Sequence, residues 1–361
     1  MLKEIHEQPE ALENTIGERL RRNAPVDISV ETGLTQEMVK NIDRIIILGC
    51  GTSYHAGLVG RALLERWARL NAEIDLASEW RYRDVPLNEK TLVIGVTQSG
   101  ETRDTLDAMQ KAREGGAHVL AVTNILGSQA TRTAHGALYT RAGLEIGVAA
   151  TKTHLAQVMA FAIFALYIAE VKGAMPGEQI DEAREQLHRV PDLLRVMLDS
   201  EPWQENIQAI AREHQDKDFF MFIGRQLGLP VSLEAALKLK EISYIPADAY
   251  AAGEMKHGPI ALLDESTPTV VVATDGPVYE KLVSNMQEVK ARGSRVIAVA
   301  TEGNTGVLEH ADHVISIPRV PDELMPMLAV VPLQLLAYHI ASLRGLNVDQ
   351  PRNLAKTVTV E

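Results

Sequence analysis

The chain has 361 residues, of which 46% are hydrophobic and 23% are charged, a composition that is ordinary for a soluble globular protein. This length favours two domains, each with a sizeable core. The formal net charge of −12 argues against a nucleic-acid partner, because a phosphate backbone requires clustered lysine and arginine. A small anionic ligand is still compatible with this charge, since its binding depends on local groups.

The single cysteine, Cys50, excludes an internal disulfide and a multi-cysteine metal site, and it is typical of a reducing compartment. The histidines show no metal-ligand spacing such as HExxH, so we expect no metal. The sequence does not open with a basic and apolar signal peptide. The most apolar long segment, residues 158–169, is predicted to be too short to span a bilayer and to form a buried helix. We therefore expect a cytoplasmic protein without a membrane partner.

Residues 1–40 are predicted to form an amino-terminal helical arm. After it, short apolar runs of the kind buried in parallel sheets alternate with glycine-containing turns and helices. The runs cover residues 44–48, 74–77, 92–96, 119–122 and 137–139, and a long apolar helix at 151–172 follows them. This alternation predicts a doubly wound parallel sheet with right-handed crossovers over residues 41–175.

A helical, charged bridge is predicted over residues 176–214, and the order of elements then begins again. The matching segments are 43–49 with 218–224, 92–96 with 269–273, and 109–123 with 286–300. The offset is 175 to 177 residues throughout, and a constant offset over several elements indicates internal duplication. We therefore expect an α/β fold with two doubly wound parallel sheets, the second over residues 215–345.

The carboxyl-terminal tail, residues 346–361, is predicted to be extended or looped because it contains Pro351 among polar groups. Those polar groups include Arg352, Asn353 and Lys356. Such a tail is either frayed or docked onto a site, and chain ends in general favour fraying.

Two polar loops follow strands at the predicted carboxyl edge of the first sheet, where open α/β sheets bind ligands. The loop after the second long apolar run carries Thr97, Gln98, Ser99 and Thr102. Its hydroxyls and the free N–H groups of a helix N-terminus favour an anion, best a phosphate. The simpler alternative is helix capping, which needs only one hydroxyl.

The loop after the first strand reads Gly49-Cys50-Gly51-Thr52-Ser53. It superficially resembles a dinucleotide fingerprint, but Tyr54 stands where the third glycine belongs. A second hydroxyl-bearing ligand loop explains it better, and we expect no cofactor. Cys50 is more simply explained as a small residue that is buried or lines the site than as a nucleophile.

A helix is predicted from near Pro230 to Tyr244, with Ser232 as a plausible N-cap. Glu234, Lys238 and Glu241 fall on one face of it at 100° per residue. A glycine-flanked loop then offers Glu254, Lys256 and His257. Carboxylates, a lysine and a histidine close together suit proton transfer. The alternative is a solvated helix face with an ordinary Glu–Lys pair at i and i+4.

These segments resemble the sugar isomerase (SIS) fold, and more closely the isomerase half of the glutamine:fructose-6-phosphate aminotransferases. The matching segments are CGTSYHAG (50–57), SGET (99–102), EIGVAATK (145–152), EAALKLKEISYI (234–245), AYAAGEMKHGPIAL (249–262), VPLQLLAYH (331–339) and DQPRNLAKTVTVE (349–361). The likeness covers nearly the whole chain. It implies two SIS subdomains related by duplication, followed by the tail.

The resemblance also implies a role for each matching residue. Glu241 would move a proton between C1 and C2 of the sugar, with Lys238 beside it. His257, contributed by the neighbouring subunit of a homodimer with shared active sites, would assist ring opening. Lys356 would form a Schiff base with the ketose C2 carbonyl. The residues implied to bind the hexose phosphate are Cys50, Gly51, Thr52, Ser53, Thr97, Gln98, Ser99, Thr102, Val148 and Ala355.

The chain departs from the aminotransferases in three ways. Thr97 and Ala150 stand where that family commonly has serine, and the glutaminase domain with its nucleophilic cysteine is not in this sequence. The expected product is glucosamine 6-phosphate, made from fructose 6-phosphate with free ammonia or with ammonia from a separate glutaminase. The alternatives are glucosamine-6-phosphate deamination, which is the reverse direction, and a non-catalytic sugar-phosphate-binding regulator.

Overall fold

The computed structural model describes residues 1–22 and 24–357. Asn23 of the predicted arm and residues 358–361 of the predicted tail lie outside the described residues. The chain divides into two compact units. The first-sheet unit comprises residues 7–145, 152–191 and the tail from 355, and the second-sheet unit comprises residues 1–6, 146–151 and 192–354.

The first-sheet unit contains five parallel strands in the order β2-β1-β3-β4-β5. They are β1 (Arg44–Gly49), β2 (Asn71–Leu76), β3 (Thr91–Val96), β4 (His118–Thr123) and β5 (Gly136–Tyr139). All of β3 is buried, and so is β1 after its first residue. The predicted doubly wound sheet is therefore confirmed. The loops that follow β1 and β3 leave the same edge side by side, because these two strands are paired.

Helices cover this sheet. Those of the first-sheet unit are α2 (Gln8–Ile16), α3 (Ser29–Thr32), α4 (Gln36–Asn41), α5 (Thr52–Trp67), α6 (Ala77–Trp80), α7 (Arg103–Glu114), α8 (Gln129–Thr133) and α9 (Lys152–Lys172); α1 (Leu2–His6) belongs to the second-sheet unit. Every residue of α9 from Lys152 to Ala169 is buried. A Cβ on Gly60 of α5 would lie 2.5 Å from the ring of Phe161 in α9, so this crossing requires glycine.

The second-sheet unit repeats the topology. Its strands are β6 (Phe220–Gly224), β7 (Ala247–Ala251), β8 (Thr269–Val272), β9 (Val296–Thr301) and β10 (His313–Ile317), all parallel and in the order β10-β9-β8-β6-β7. Read from the other end, this order matches that of the first sheet strand by strand. The predicted internal duplication is thus confirmed, and β7 and β10 are strands that the sequence analysis missed.

The helices around the second sheet are α11 (Glu201–His214), α12 (Gly228–Ser243), α13 (Tyr279–Lys290) and α14 (Met325–Leu343), and α10 (Gly177–Leu198) contributes residues to both units. Short 3₁₀ turns cover Glu254–His257, Pro259–Leu262 and Gly306–Glu309. The core of this unit is an apolar cluster that includes Met221, Met255 and Val271.

The predicted start of α12 needs correction. The helix begins at Gly228, one turn before the predicted cap, and Ser232 lies inside it. Its hydroxyl donates to the carbonyl oxygen of Gly228 at 2.9 Å instead of capping. Pro230 is tolerated because N–H groups in the first turn have no partner within the helix.

Two helices, α9 and α14, are long and apolar enough to cross a membrane by length and composition alone. The prediction that the apolar segment was too short is therefore wrong, because α9 extends beyond residues 158–169 at both ends. In α9, 89% of the most apolar window is buried inside the structure, and in α14 78% is buried. Both also serve as core helices of their units.

The described part of the tail has neither helix nor strand, but it is held in place. The backbone N–H of Val148 donates to the carbonyl of Asp349 at 3.0 Å. The backbone N–H of Arg352 donates to the hydroxyl of Tyr244 at 2.9 Å, and its guanidinium lies 4.3 Å from the centre of that ring. Fraying was the wrong expectation for these residues.

Candidate functional site

The hydroxyl loop, residues 97–102, lies in the first-sheet unit between β3 and α7. The Oγ1 atoms of Thr97 and Thr102 are 2.8 Å apart, and the backbone N–H of Gly100 donates to Thr97 Oγ1 at 3.3 Å. Thr102 occupies the N-cap position of α7, yet its side chain makes no capping hydrogen bond. Capping alone therefore does not explain this loop.

The path of the hydroxyl loop depends on Gly100. This residue has φ +71°, and a Cβ there would lie 2.0 Å from the Oγ of Ser128. Only glycine satisfies both the left-handed backbone and the close approach. Gln98 and Ser99 are half-buried at the turn, so their polar groups lie next to the helix N-terminus and remain accessible to an anion.

The loop after β1 is placed as predicted, with Gly51 at φ +53° immediately before α5. Ser53 is buried, and its Oγ accepts a hydrogen bond from Gln157 Nε2 of α9 at 3.0 Å. Its hydroxyl thus serves internal packing. Cys50 is half-buried, and burial raises the pKa of its thiol, which disfavours the reactive thiolate. The lining role of Cys50 stays a prediction.

The acidic face of α12 consists of Glu234, Lys238 and Glu241. It is the most unusual electrostatic feature of the second-sheet unit. Lys238 and Glu234 are fully buried, whereas the Glu241 side chain is 20% exposed. Lys238 Nζ lies 2.5 Å from Glu241 Oε2 and 3.4 Å from Glu234 Oε1. The alternative of a solvated face is therefore wrong. A buried lysine shared by two carboxylates is costly to desolvate, which is typical of groups kept for chemistry.

His257 ends the 3₁₀ turn Glu254–His257 and is exposed. Met255 is fully buried in the apolar core and anchors the turn, and Lys256 is paired with Glu288 at 2.7 Å. Within the described ranges, no hydrogen bond or ion pair joins His257 to Glu241. The role that the resemblance implies for His257 stays a prediction.

Lys356 of the tail forms an ion pair with Glu145, and both residues belong to the first-sheet unit. The Glu145 side chain is fully buried and also accepts from Thr153, from Oγ1 at 2.6 Å and from the backbone N–H at 3.3 Å. Sequence reasoning missed Glu145 as a partner of the tail lysine. Its place in the matching segment EIGVAATK (145–152) was the one available signal. Ala355, next to this lysine, is exposed.

Val148 lies in the segment 146–151 of the second-sheet unit. Glu4 of α1 accepts from the backbone N–H groups of Ile146 and Gly147 at 2.6 and 3.1 Å. Burial acts to raise the pKa of Glu4, but the two hydrogen bonds and the amino terminus outweigh it and lower the pKa. The N–H of Val148 is used by the tail, so this segment holds the tail and α1 rather than offering free donors.

The sequence matches the SIS domain family over residues 38–167 and 215–344, that is, over both sheets. A glutamine–fructose-6-phosphate aminotransferase (isomerizing) from Thermus thermophilus is 50% identical over the whole chain, which spans 59% of that relative's length. The solved C-terminal domain of a glucosamine-fructose-6-phosphate aminotransferase from Francisella tularensis is 37% identical, with a TM-score of 0.90. The alignment covers 97% of this chain and 98% of that domain.

A glucosamine-6-phosphate deaminase structure from Thermotoga maritima is 24% identical with a TM-score of 0.75, covering 99% of this chain and 98% of that one. At this identity the likeness concerns the fold alone. The duplicated sheets, the hydroxyl loop and the family match together identify the chain as a member of the SIS domain family, similar throughout its length to the C-terminal isomerase domain of the glutamine–fructose-6-phosphate aminotransferases.

Proposed function

We propose that this chain binds a hexose 6-phosphate and catalyses ketose–aldose isomerisation, as the isomerase part of the reaction that makes glucosamine 6-phosphate from fructose 6-phosphate and ammonia. The observation that carries the proposal is the ion-paired Lys238 beneath the partly exposed Glu241. The names of the aminotransferase relatives, matched over the whole of this chain, support the choice of substrate.

In this proposal the phosphate is held by the hydroxyl loop and by Thr52, where hydroxyls and helix N-terminal N–H groups meet the anion. The other residues proposed to line the substrate are Cys50, Gly51, Ser53, Val148 and Ala355. Anchoring the phosphate limits the motion of the bound sugar before the reaction.

The chemistry proposed for the carbonyl end starts with ring opening, assisted by His257 of a neighbouring subunit. The Nζ of Lys356 then attacks the C2 carbonyl, and loss of water gives a Schiff base. This requires a neutral amine, so Lys356 must lose its proton and leave its ion pair with Glu145 before it attacks. Ammonia displaces the lysine, and Glu241 moves a proton from C1 to C2 through an enolamine.

We further propose a cytoplasmic homodimer that uses free ammonia or ammonia from a glutaminase. The homodimer with shared sites is what the resemblance implies for His257, and the exposed position of His257 supports it. Shared sites are tested by mixing His257→Ala with Lys356→Ala protein. Recovery of activity after subunit exchange supports sharing, and failure despite proven exchange contradicts it.

The main test incubates the chain with fructose 6-phosphate, with and without ammonium, and follows glucosamine 6-phosphate and glucose 6-phosphate. Glu241→Gln is expected to lower turnover at least a hundredfold while sugar-phosphate affinity changes little, because it removes the base and keeps the shape. Lys240→Gln, an exposed change on the same helix, is the matched control. Binding without turnover in either condition would instead favour the regulator.

A further inference from the structure

A histidine pair and a carboxylate meet in the second-sheet unit, at the end of α11 and the start of β10. Glu213 and His214 are the last two residues of α11, and His313 is the first residue of β10. One potential ligand atom from each residue lies within 4.8 Å of the other two. The imidazole rings are 5.4 Å apart and nearly perpendicular, and Glu213 Oε2 is 3.1 Å from His313 Nε2.

Three of the four nitrogens of these rings are buried and have no hydrogen-bond partner among the described residues. His214 is 1% exposed, and neither of its ring nitrogens has a hydrogen-bond partner among the described residues. His313 Nε2 is also buried, and its contact with Glu213 lacks hydrogen-bond geometry. Buried polar atoms are almost always hydrogen-bonded, so three orphaned imidazole nitrogens in one place require an explanation.

Lys217 and Arg295 are close enough to His214 to act on it electrostatically. Arg295 pairs with Asp312 at 3.6 Å, which reduces the repulsion that it would exert on a cation.

We propose that Glu213, His214 and His313 form a transition-metal site of the Zn²⁺ class, with two imidazoles and one carboxylate as ligands and an open fourth position. Such an ion takes nitrogen at about 2.0–2.1 Å and carboxylate oxygen at about 2.0–2.2 Å. Tetrahedral ligand atoms then lie roughly 3.4 Å apart, so shifts of about 1 Å close the cluster. The Glu213 side chain is 46% exposed and provides the entry path.

The site would tie the end of a helix to an edge strand far along the chain, since β10 lies at one edge of its sheet. An ion that binds only the folded state raises the melting temperature by mass action. Sequence spacing does not reveal such a site, because the two histidines are separated by almost a hundred residues and meet only in the fold.

The test titrates the purified, metal-free chain with Co²⁺ and Zn²⁺, following visible absorption of bound Co²⁺, bound zinc and the melting temperature. The expected result is one equivalent per chain, an increase in melting temperature, and at least tenfold weaker binding in both Glu213→Gln and His313→Gln. His6→Gln removes an exposed histidine elsewhere and serves as the control. The stacked pair His118–His135 is the competing site, tested by His135→Gln.

The proposal is overturned if the wild-type chain binds no Co²⁺ or Zn²⁺ at micromolar concentration. It is equally overturned if binding persists in folded Glu213→Gln and His313→Gln proteins, or is lost in His135→Gln instead. Circular dichroism establishes that each variant is folded. Metal affinity is measured without substrate, so failure of the proposed isomerase activity leaves the result intact.

Discussion

Replacing Lys238 by methionine tests how strongly the stability of the second-sheet unit depends on the buried cation on the acidic face of α12. Methionine keeps most of the side-chain volume, so the change removes charge and leaves little cavity. Lys238 is fully buried within 2.5 Å of Glu241 and 3.4 Å of the equally buried Glu234. Removing one partner of a buried ion pair costs about 3–5 kcal/mol in the free energy of unfolding. For a unit of this size that corresponds to roughly 6–20 °C in melting temperature.

The assay is scanning calorimetry at pH 8, with Lys240→Met as the matched control because Lys240 is exposed on the same helix. The control is expected to change the free energy of unfolding by less than about 0.5 kcal/mol. The double variant Glu234→Gln, Lys238→Met should recover part of the loss, since it removes the carboxylate left without its cation. A Lys238→Met protein as stable as the Lys240→Met protein would refute the reasoning.

Three further predictions concern other parts of the two units. Gly100→Ala should raise the Michaelis constant for fructose 6-phosphate at least tenfold, because its Cβ would meet Ser128; Gly127→Ala, also left-handed but with open space, is the control in steady-state kinetics. Glu145→Gln should lower turnover more than tenfold by weakening its ion pair with Lys356, and an unchanged pH–rate profile would contradict that role. Burial lowers the pKa of His118 to about 4, so stability is expected to fall as pH drops from about 6.5 to 4. His118→Gln should flatten this pH dependence in calorimetry.

The strands that sequence reasoning found and missed differ in composition. After their first residues, Arg44 and Thr91, β1 and β3 contain only apolar residues and glycine, whereas β7 reads ADAYA and its last four residues are only partly buried or exposed. An edge strand with one covered face has no continuous apolar run. The sequences of β7 and β10 are therefore only weakly indicative of strands. The offset found for the inner strands, applied to β2 and β5, would have located both.

Local sequence does not predict the burial of the acidic face of α12 or the docking of the tail. A Glu–Lys–Glu series at helical spacing looks the same on a solvated surface as in a core, because it is the surrounding elements that decide exposure. The partners of the tail, Asp349 with Val148 and Lys356 with Glu145, are about 200 residues apart in sequence. The resemblance to the aminotransferases selected Val148 and Lys356, but it did not indicate the contacts that hold them.

The two sheets differ at the edge where the phosphate loop is proposed. The turn after β8, equivalent to the hydroxyl loop after β3, keeps one threonine, Thr274, but has Asp275 and Gly276 where the hydroxyl loop has Gln98 and Ser99. This carboxylate is paired with Arg319 at 2.6 Å and accepts from Asn304 Nδ2 at 2.7 Å, so a negative group already occupies the edge. The side chains of Asp275, Arg319 and Asn304 are thus engaged with one another at this edge. We therefore expect no phosphate site there, and the catalytic groups proposed for the second half lie on α12 and the following turn instead.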